Sequence, residues 1–449
     1  MSRIIGFMII AMLAVGCAPK AKEKQQGEAV DSLNWKKNAS VYEVNIRQYT
    51  PEGTFNAFAE HLPRLKELGV DVLWFMPITP ISEKNRKGTL GSYYAVQDYR
   101  KVNPEYGTME DFQALVKKAH DLGFKVILDW VANHTGWDNP LIEEHPDWYT
   151  QKDGQIVSPV ADWSDVADLN YDNRDMRDYM IESLKFWIRE ANVDGYRCDM
   201  AAMVPTDFWE DARVALDSVK PVFMLAEAWE PELTWKAFDA CYGWDLHHLM
   251  NDLAQGKKDG LALPAYFERI DTLYSPETII MNFIDNHDEN SWQGSIRERM
   301  GNAFPVYAVM SYTVPGMPLI YTGQEAGMDK RLPFFEKDSV DWSTNPELAG
   351  FYRKLNELKH THPALNTGKE KGSFRILKQN NERNVFAFER GAGDDRMIVV
   401  LNLTGNNQDL QLEEIVAGPF TDYFSRENVA EIGNLSLEPN AYRIFIRNK

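Results

Sequence analysis

Eight short apolar runs, at 41–46, 70–75, 125–128, 193–199, 222–227, 240–244, 279–285 and 319–322, are separated by stretches with helical spacing. Each run is too short for a helix and long enough for a strand. Between the first two, Phe58, Leu62, Leu65 and Leu68 recur at helical spacing over 55–68. The stretch 109–122 repeats the pattern and is followed by Gly123, and 176–191 follows the same logic before the fourth run. Strands alternating with helical crossovers form a parallel sheet, and eight is the number that closes a barrel. The sequence therefore reads as an α/β chain, a (β/α)8 TIM barrel spanning 35–134 and 169–366. An open doubly wound sheet fits less well, because no Gly-rich phosphate loop follows the first run.

Two segments break the alternation. Residues 135–168, after the third run, are rich in Trp, Asp, Pro and Gly. A connection of that length is uncommon unless it serves a function, so it reads as a small domain inserted over the barrel mouth. From 367 to 449 short alternating runs (374–377, 385–388, 397–403, 441–446) are separated by Gly/Asn turns. This reads as a C-terminal antiparallel β-sandwich.

At the N-terminus Arg3 precedes an uncharged apolar run, 4–15, which suits a signal-peptide core better than a membrane span. Leu13-Ala14-Val15-Gly16-Cys17 resembles a bacterial lipobox, in which Cys17 is acylated after cleavage. The alternative is a plain secretory signal with an incidental Cys. The expected order is thus a lipoprotein signal at 1–17, a polar tether at 18–34, and a body anchored at the cell envelope by Cys17 alone. If Cys17 carries lipid, Cys198 and Cys241 are the remaining thiols, and no disulfide framework is implied. The net charge of −19 argues against nucleic acid as a partner. Nothing in the sequence sets an oligomeric state.

In a barrel of this type the C-terminal ends of the strands face the active site. The third run leads into Asp129-Trp130-Val131-Ala132-Asn133-His134 and the fourth ends in Gly195-Tyr196-Arg197-Cys198-Asp199. The fifth ends in Ala226-Glu227-Ala228-Trp229 and the seventh in Asp285-Asn286-His287-Asp288. Buried charge is costly unless it is paired or used. Any one strand end could belong to a structural ion-pair network; four on one rim point to chemistry.

These segments resemble the four signature regions of the α-amylase superfamily, glycoside hydrolase family thirteen. Ala167-Asp168-Leu169-Asn170 resembles the family's short fifth motif, and Gly91 to Tyr99 its Tyr-bearing loop after the second strand. The resemblance implies a retaining hydrolase of α-glucosidic bonds in starch-derived glucans, with Asp199 as nucleophile, Glu227 as acid/base and Asp288 as transition-state stabiliser. The two reacting carboxyls would then lie about 5–5.5 Å apart. It further implies that Arg197 favours the ionised nucleophile, that His134 and His287 bind sugar hydroxyls, and that Tyr94 stacks on the sugar ring. No cofactor is implied as necessary. Calcium is a possible ligand, because Asn133 and Asp168 match two of the family's calcium positions.

The chain departs from the family pattern after the nucleophile. Ala202 and Met203 stand where many members carry Lys-His, which leaves the leaving-group side unread. Two rivals stay open: an α-glucanotransferase or α-1,6-active glucosidase of the same family, and a non-catalytic sugar-binding homologue. The second should have lost one of the three carboxylates, and all are present. Six further histidines (His61, His120, His247, His248, His360, His362) read as structural. Of Trp130, Trp137, Trp148 and Trp163, at least half read as packing. The loop Asp329-Lys330-Arg331 is a candidate contact for a second sugar.

Overall fold

The computed structural model describes residues 33–447. The leader read at 1–17, Cys17 included, and most of the tether read at 18–34 lie outside the described residues. The last two residues of that tether already belong to the body: Leu33 is buried, and Asn34–Lys37 is a helical turn.

Eight parallel strands close the barrel: β1 (Val41–Val44), β2 (Val72–Phe75), β3 (Lys125–Trp130), β8 (Gly195–Cys198), β9 (Phe223–Ala226), β10 (Ala240–Tyr242), β11 (Ile279–Asn282) and β12 (Met317–Tyr321). They pair in chain order, and β1 bonds to both β2 and β12, which shuts the ring. All eight apolar runs in the sequence are barrel strands.

The two-residue period of a strand sorts these runs into two faces. Val41, Val72, Ile127, Leu225, Met281 and Leu319 fill the barrel interior. Tyr42, Leu73, Leu128, Tyr196 and Met224 point outward against the helices. Following the inward parity to the C-terminal ends brings Glu43, Trp74, Asp129, Arg197, Asp199, Glu227 and Tyr242 to one rim. Gly195 has a packing reason to be glycine, since a Cβ there would overlap the Phe223 carbonyl of the neighbouring strand.

The crossover helix Met109–Asp121 has a capping box between Thr108 and Asp111, and Gly123 follows it in the left-handed region at φ 89°. The stretch 55–68 departs from the expected single helix. It divides into Phe55–Ala59 and Leu62–Leu68, with Pro63 in the first turn of the second. Proline lacks the N–H a continuous helix would need and crowds the preceding turn.

The segment over the barrel mouth is not structureless. Strands β4 (His134–Gly136) and β7 (Val166–Asp168) pair antiparallel, and β5 (Gln151–Lys152) and β6 (Gln155–Ile156) form a hairpin between them.

C-terminal to the barrel lie β13 (Ser373–Ile376), β14 (Val385–Ala392), β15 (Asp395–Asn402), β16 (Gln408–Asp422), β17 (Asn428–Leu437) and β18 (Tyr442–Arg447). They form one antiparallel sheet in the order β13-β14-β15-β18-β16-β17. One face of β14 and β15 (Phe386, Phe388, Met397, Val399) joins the barrel's helical layer. The other face (Val385, Ala387, Ile398, Val400) packs on Leu410, Leu412, Val416 and Ile432 of the long β16–β17 hairpin. That hairpin carries two register shifts, which bend it over the sheet as a second layer.

Candidate active site

Arg197 is fully buried and organises the barrel rim. Its Nη1 donates to Asp129 Oδ1 at 2.9 Å and to Asp199 Oδ1 at 3.0 Å, while Nε donates to the Tyr242 hydroxyl at 3.0 Å. Its Nη2 lies 3.0 Å from Glu227 Oε2, an ion-pair contact without hydrogen-bond alignment. Arg197 and Asp199 are two residues apart on one strand, so both side chains face the barrel axis. One guanidinium thereby holds Asp199 and Glu227 on adjacent nitrogens.

The turn after β8 adds a contact that sequence reasoning missed. Met200 adopts a left-handed conformation (φ 43°, ψ 45°), and its N–H donates to Glu227 Oε2 at 2.8 Å. A non-glycine residue there costs about 1–2 kcal/mol, and such strain concentrates at functional sites.

Burial raises the Asp199 and Glu227 carboxyls, each to about 7, against the pull of Arg197. Asp288 adds to both shifts by like-charge repulsion. Asp199 accepts a charge-assisted hydrogen bond from Arg197, whereas Glu227 accepts only the neutral Met200 N–H and its contact with Arg197 lacks hydrogen-bond alignment. Hydrogen bonding to the charged form favours ionisation. Of the two, Asp199 is thus the group better placed to carry the negative charge and Glu227 the proton.

A second chain of contacts runs from β1. His287 Nδ1 lies 2.6 Å from Glu43 Oε1, and its Nε2 lies 2.7 Å from the Tyr94 hydroxyl and 3.3 Å from Asp288 Oδ2. Burial alone would lower the His287 pKa, but Asp288 and Glu43 outweigh it and hold it at about 9. The ring is therefore a cation near neutral pH and donates from both nitrogens. Tyr94 in turn donates to Asp129 Oδ2 at 3.0 Å. His134 behaves oppositely: burial lowers it to about 4, so it is neutral. Its Nδ1 lies 3.3 Å from the Asn133 amide nitrogen, and the ring also hydrogen-bonds the Tyr94 backbone.

These groups surround a cavity of about 520 Å³, lined by Tyr94, His134, Asp199, Glu227, His287 and Asp288 among others. Of the predicted sugar-site residues only Arg197 lies beneath the cavity floor. The Tyr94 ring lies nearly parallel to both His287 and Phe334, whose own ring centres are 6.3 Å apart.

Sequence reasoning missed Glu43, although a lone Glu inside an apolar strand was a visible signal. It also missed Trp292, carried by a π-helical turn at Glu289–Gln293 directly after Asp288, and Phe334 and Phe335 beyond β12. The Asp329-Lys330-Arg331 loop is occupied elsewhere. Asp329 accepts from Ser295, Lys330 pairs with Asp338 and Arg331 with Glu298. Trp130 and Trp148 are buried, Trp137 is half-buried against the core, and Trp163 lines the cavity. His120, His247, His360 and His362 pair with Asp194, Glu289, Asp71 and Asp395 away from the cavity.

The two candidate calcium positions lie side by side at the foot of the inserted segment. The His134–Asp168 pair of β4 and β7 puts Asn133 beside Asp168, with Leu169 N–H donating to the Asn133 carbonyl at 3.1 Å. Among the described residues no group of three or more His, Cys, Asp or Glu side chains is arranged to hold a metal. Calcium takes six to eight oxygens, so an ion there would draw on backbone carbonyls and water beyond these two side chains. Cys198 and Cys241 are both buried and unbridged.

The family model for the α-amylase catalytic domain matches residues 27–166 and 148–354, and that for the maltogenic amylase C-terminal domain matches 374–446. The α-amylase MalA of Haloarcula japonica is 27% identical over 83% of this chain, which spans 56% of that relative's length. The crystal structure of a noncanonic maltogenic α-amylase, AmyB, from Thermotoga neapolitana superposes with a TM-score of 0.85 at 29% identity, covering 92% of this chain and 99% of that one. An α-amylase structure from Lactobacillus plantarum gives a TM-score of 0.83 at 31% identity, with the same coverage. Barrel, rim and matches agree: the chain belongs to the α-amylase family of glycoside hydrolases.

Proposed function

We propose that this protein hydrolyses α-1,4-glucosidic bonds of starch-derived glucans and maltooligosaccharides with retention of anomeric configuration. The observation that carries the reading is the single buried guanidinium that holds Asp199 and Glu227 on adjacent nitrogens at the cavity floor. Retention needs the two carboxyls about 5–5.5 Å apart, and neighbouring nitrogens of one guanidinium can hold them at that spacing.

In the first step Asp199 attacks the anomeric carbon while Glu227 gives its proton to the departing glycosidic oxygen. In the second Glu227 takes a proton from water, which displaces Asp199 from the sugar. Asp288 and the imidazolium of His287 face positions where sugar hydroxyls and positive charge meet in the transition state. The neutral His134 and Tyr94 complete the same subsite. The low dielectric of the rim strengthens each of these contacts.

Proton NMR of the products from maltoheptaose tests this directly. The first new reducing ends should be α-anomers; initial release of β-anomers would overturn the retaining mechanism. Products longer than the substrate would favour the transferase rival. Faster cleavage of isomaltose or of the α-1,6 bonds of pullulan would replace the linkage assignment.

No metal enters either step. Chelation with EDTA is therefore expected to leave both the rate and the melting temperature unchanged. A loss restored by calcium but not by magnesium would show that Asn133 and Asp168 recruit further ligands. With 1–17 acting as a lipoprotein leader, the enzyme would work at the cell envelope, tethered through Cys17. Among the described residues no helix is long and apolar enough to cross a membrane.

A further inference from the structure

The middle of the loop after β2, at 87–90, is tied to two different segments, along one side of the cavity. On one side it is bound to the segment beyond β12. Leu90 N–H donates to the Phe335 carbonyl at 3.0 Å, Thr89 N–H donates to Glu336 Oε1 at 3.0 Å, and the Thr89 hydroxyl also bonds Glu336. Gly88 packs on Phe335 so closely that no side chain would fit there. On the other side the loop is bound to the segment over the barrel mouth. Lys87 Nζ pairs with Asp165 Oδ1 at 3.0 Å and donates to the Asp162 carbonyl at 2.5 Å. Within the loop, Arg86 donates to the carbonyls of Ile81 and Ser82. Phe335, Lys87, Asp162 and Asp165 all line the cavity, so the strap is a wall of it.

The wall stands on a definite side. It joins the cavity where Trp163 meets His134, with ring centres 5.6 Å apart, and where Phe334 lies parallel to Tyr94. Glu227 and Met200 line the cavity as well, and Met203 and Trp229, close to them in the chain, are 39% and 55% exposed. Acid catalysis orients the substrate between these sides. The departing sugar must lie by Glu227, and the sugar that bonds to Asp199 must lie by Tyr94, His134 and His287. The wall meets the cavity at His134 and Tyr94, on the side of the sugar that bonds to Asp199, and so stands where a further residue at its non-reducing end would lie.

We propose that the strap formed by Lys87, Thr89 and Glu336 makes this an exo-acting enzyme, which admits a glucan by its non-reducing end and releases a short product of fixed size. The inference rests on the hydrolase reading above. Lys87 is the latch. A partly exposed ion pair of this kind adds little to stability, so cutting it opens the wall without unfolding the barrel.

The test compares two p-nitrophenyl maltoheptaosides by chromatography, one with a free non-reducing end and one blocked there by a 4,6-ethylidene group. The unblocked substrate should be cleaved at least about a hundredfold faster. Comparable rates on both would overturn the proposal, and cleavage of neither would remove the hydrolase reading together with it. In Lys87→Ala the blocked-to-unblocked ratio should rise about tenfold or more; an unchanged ratio in a variant of wild-type melting temperature would overturn the role of the latch. Glu336→Gln, which loosens the other end, provides the same reading if the first variant fails to fold.

Discussion

Glu227→Gln is expected to lower kcat on a maltooligosaccharide by about 10³-fold while leaving binding of that substrate intact. The loss should depend on the leaving group. An α-glucosyl fluoride needs no proton to depart, so the variant should still form the glycosyl intermediate from it. Added azide, which needs no general base, should then restore turnover as the glycosyl azide. Asp199→Asn should be equally slow with both substrates, because no leaving group replaces a missing nucleophile. Full activity of Glu227→Gln on the oligosaccharide would refute the acid/base role, and rescue of Asp199→Asn by fluoride would exchange the two assignments.

The same Glu227 variant should be more stable than the parent above neutral pH. Below the ordinary carboxyl value of 4.5 the folded and unfolded forms both carry the proton, so the substitution changes little. Between that value and about 7 only the folded protein keeps it. The unfolded state then binds fewer protons, and stability falls as pH rises. Glutamine removes that fall, and urea unfolding at pH 8 should show a gain on the order of 1 kcal/mol.

Arg197→Met should produce the largest loss of stability. The methionine fills much of the space but leaves Asp129, Asp199 and Glu227 buried without the cation they share. Removing one partner of a buried pair costs about 3–5 kcal/mol. The cost should shrink at pH 5, where burial keeps these carboxyls protonated, and be greatest at pH 8. Arg197→Lys should fall between the two, since one ammonium cannot serve a planar fork of contacts. Equal urea midpoints for Arg197→Met and the parent at pH 8 would show that the carboxylates draw their compensation from elsewhere.

The barrel was legible because its strands are buried on both faces and read as uninterrupted apolar runs. The rim was legible for a related reason: polar groups such as Arg197, Asp199 and His287 stand out sharply at the end of such a run. Glu43 carried the same signal in Val41-Tyr42-Glu43-Val44, but its partner His287 lies 244 positions away. No local pattern marks that distance. The loops were read poorly, because side-chain reach decides them. Phe334 and Phe335 enter the cavity, whereas the charged Asp329-Lys330-Arg331 turns to Ser295, Asp338 and Glu298. The strain at Met200 has no compositional mark at all, since a glycine or asparagine would ordinarily announce a left-handed residue.

Cys198 and Cys241 give the barrel a further property. Both sit on strands with their side chains toward the helices, and burial pushes Cys241 up to about 12 and Cys198 well above the ordinary thiol value. A thiolate, the only form that attacks a labelling reagent, is therefore withheld from both while the strands stay covered. Cys198 lies directly before Asp199, and Cys241 lies two strands round the ring. Their labelling rates act as a clock for separation of the helices from the sheet at two points of the circumference, one of them beside the nucleophile.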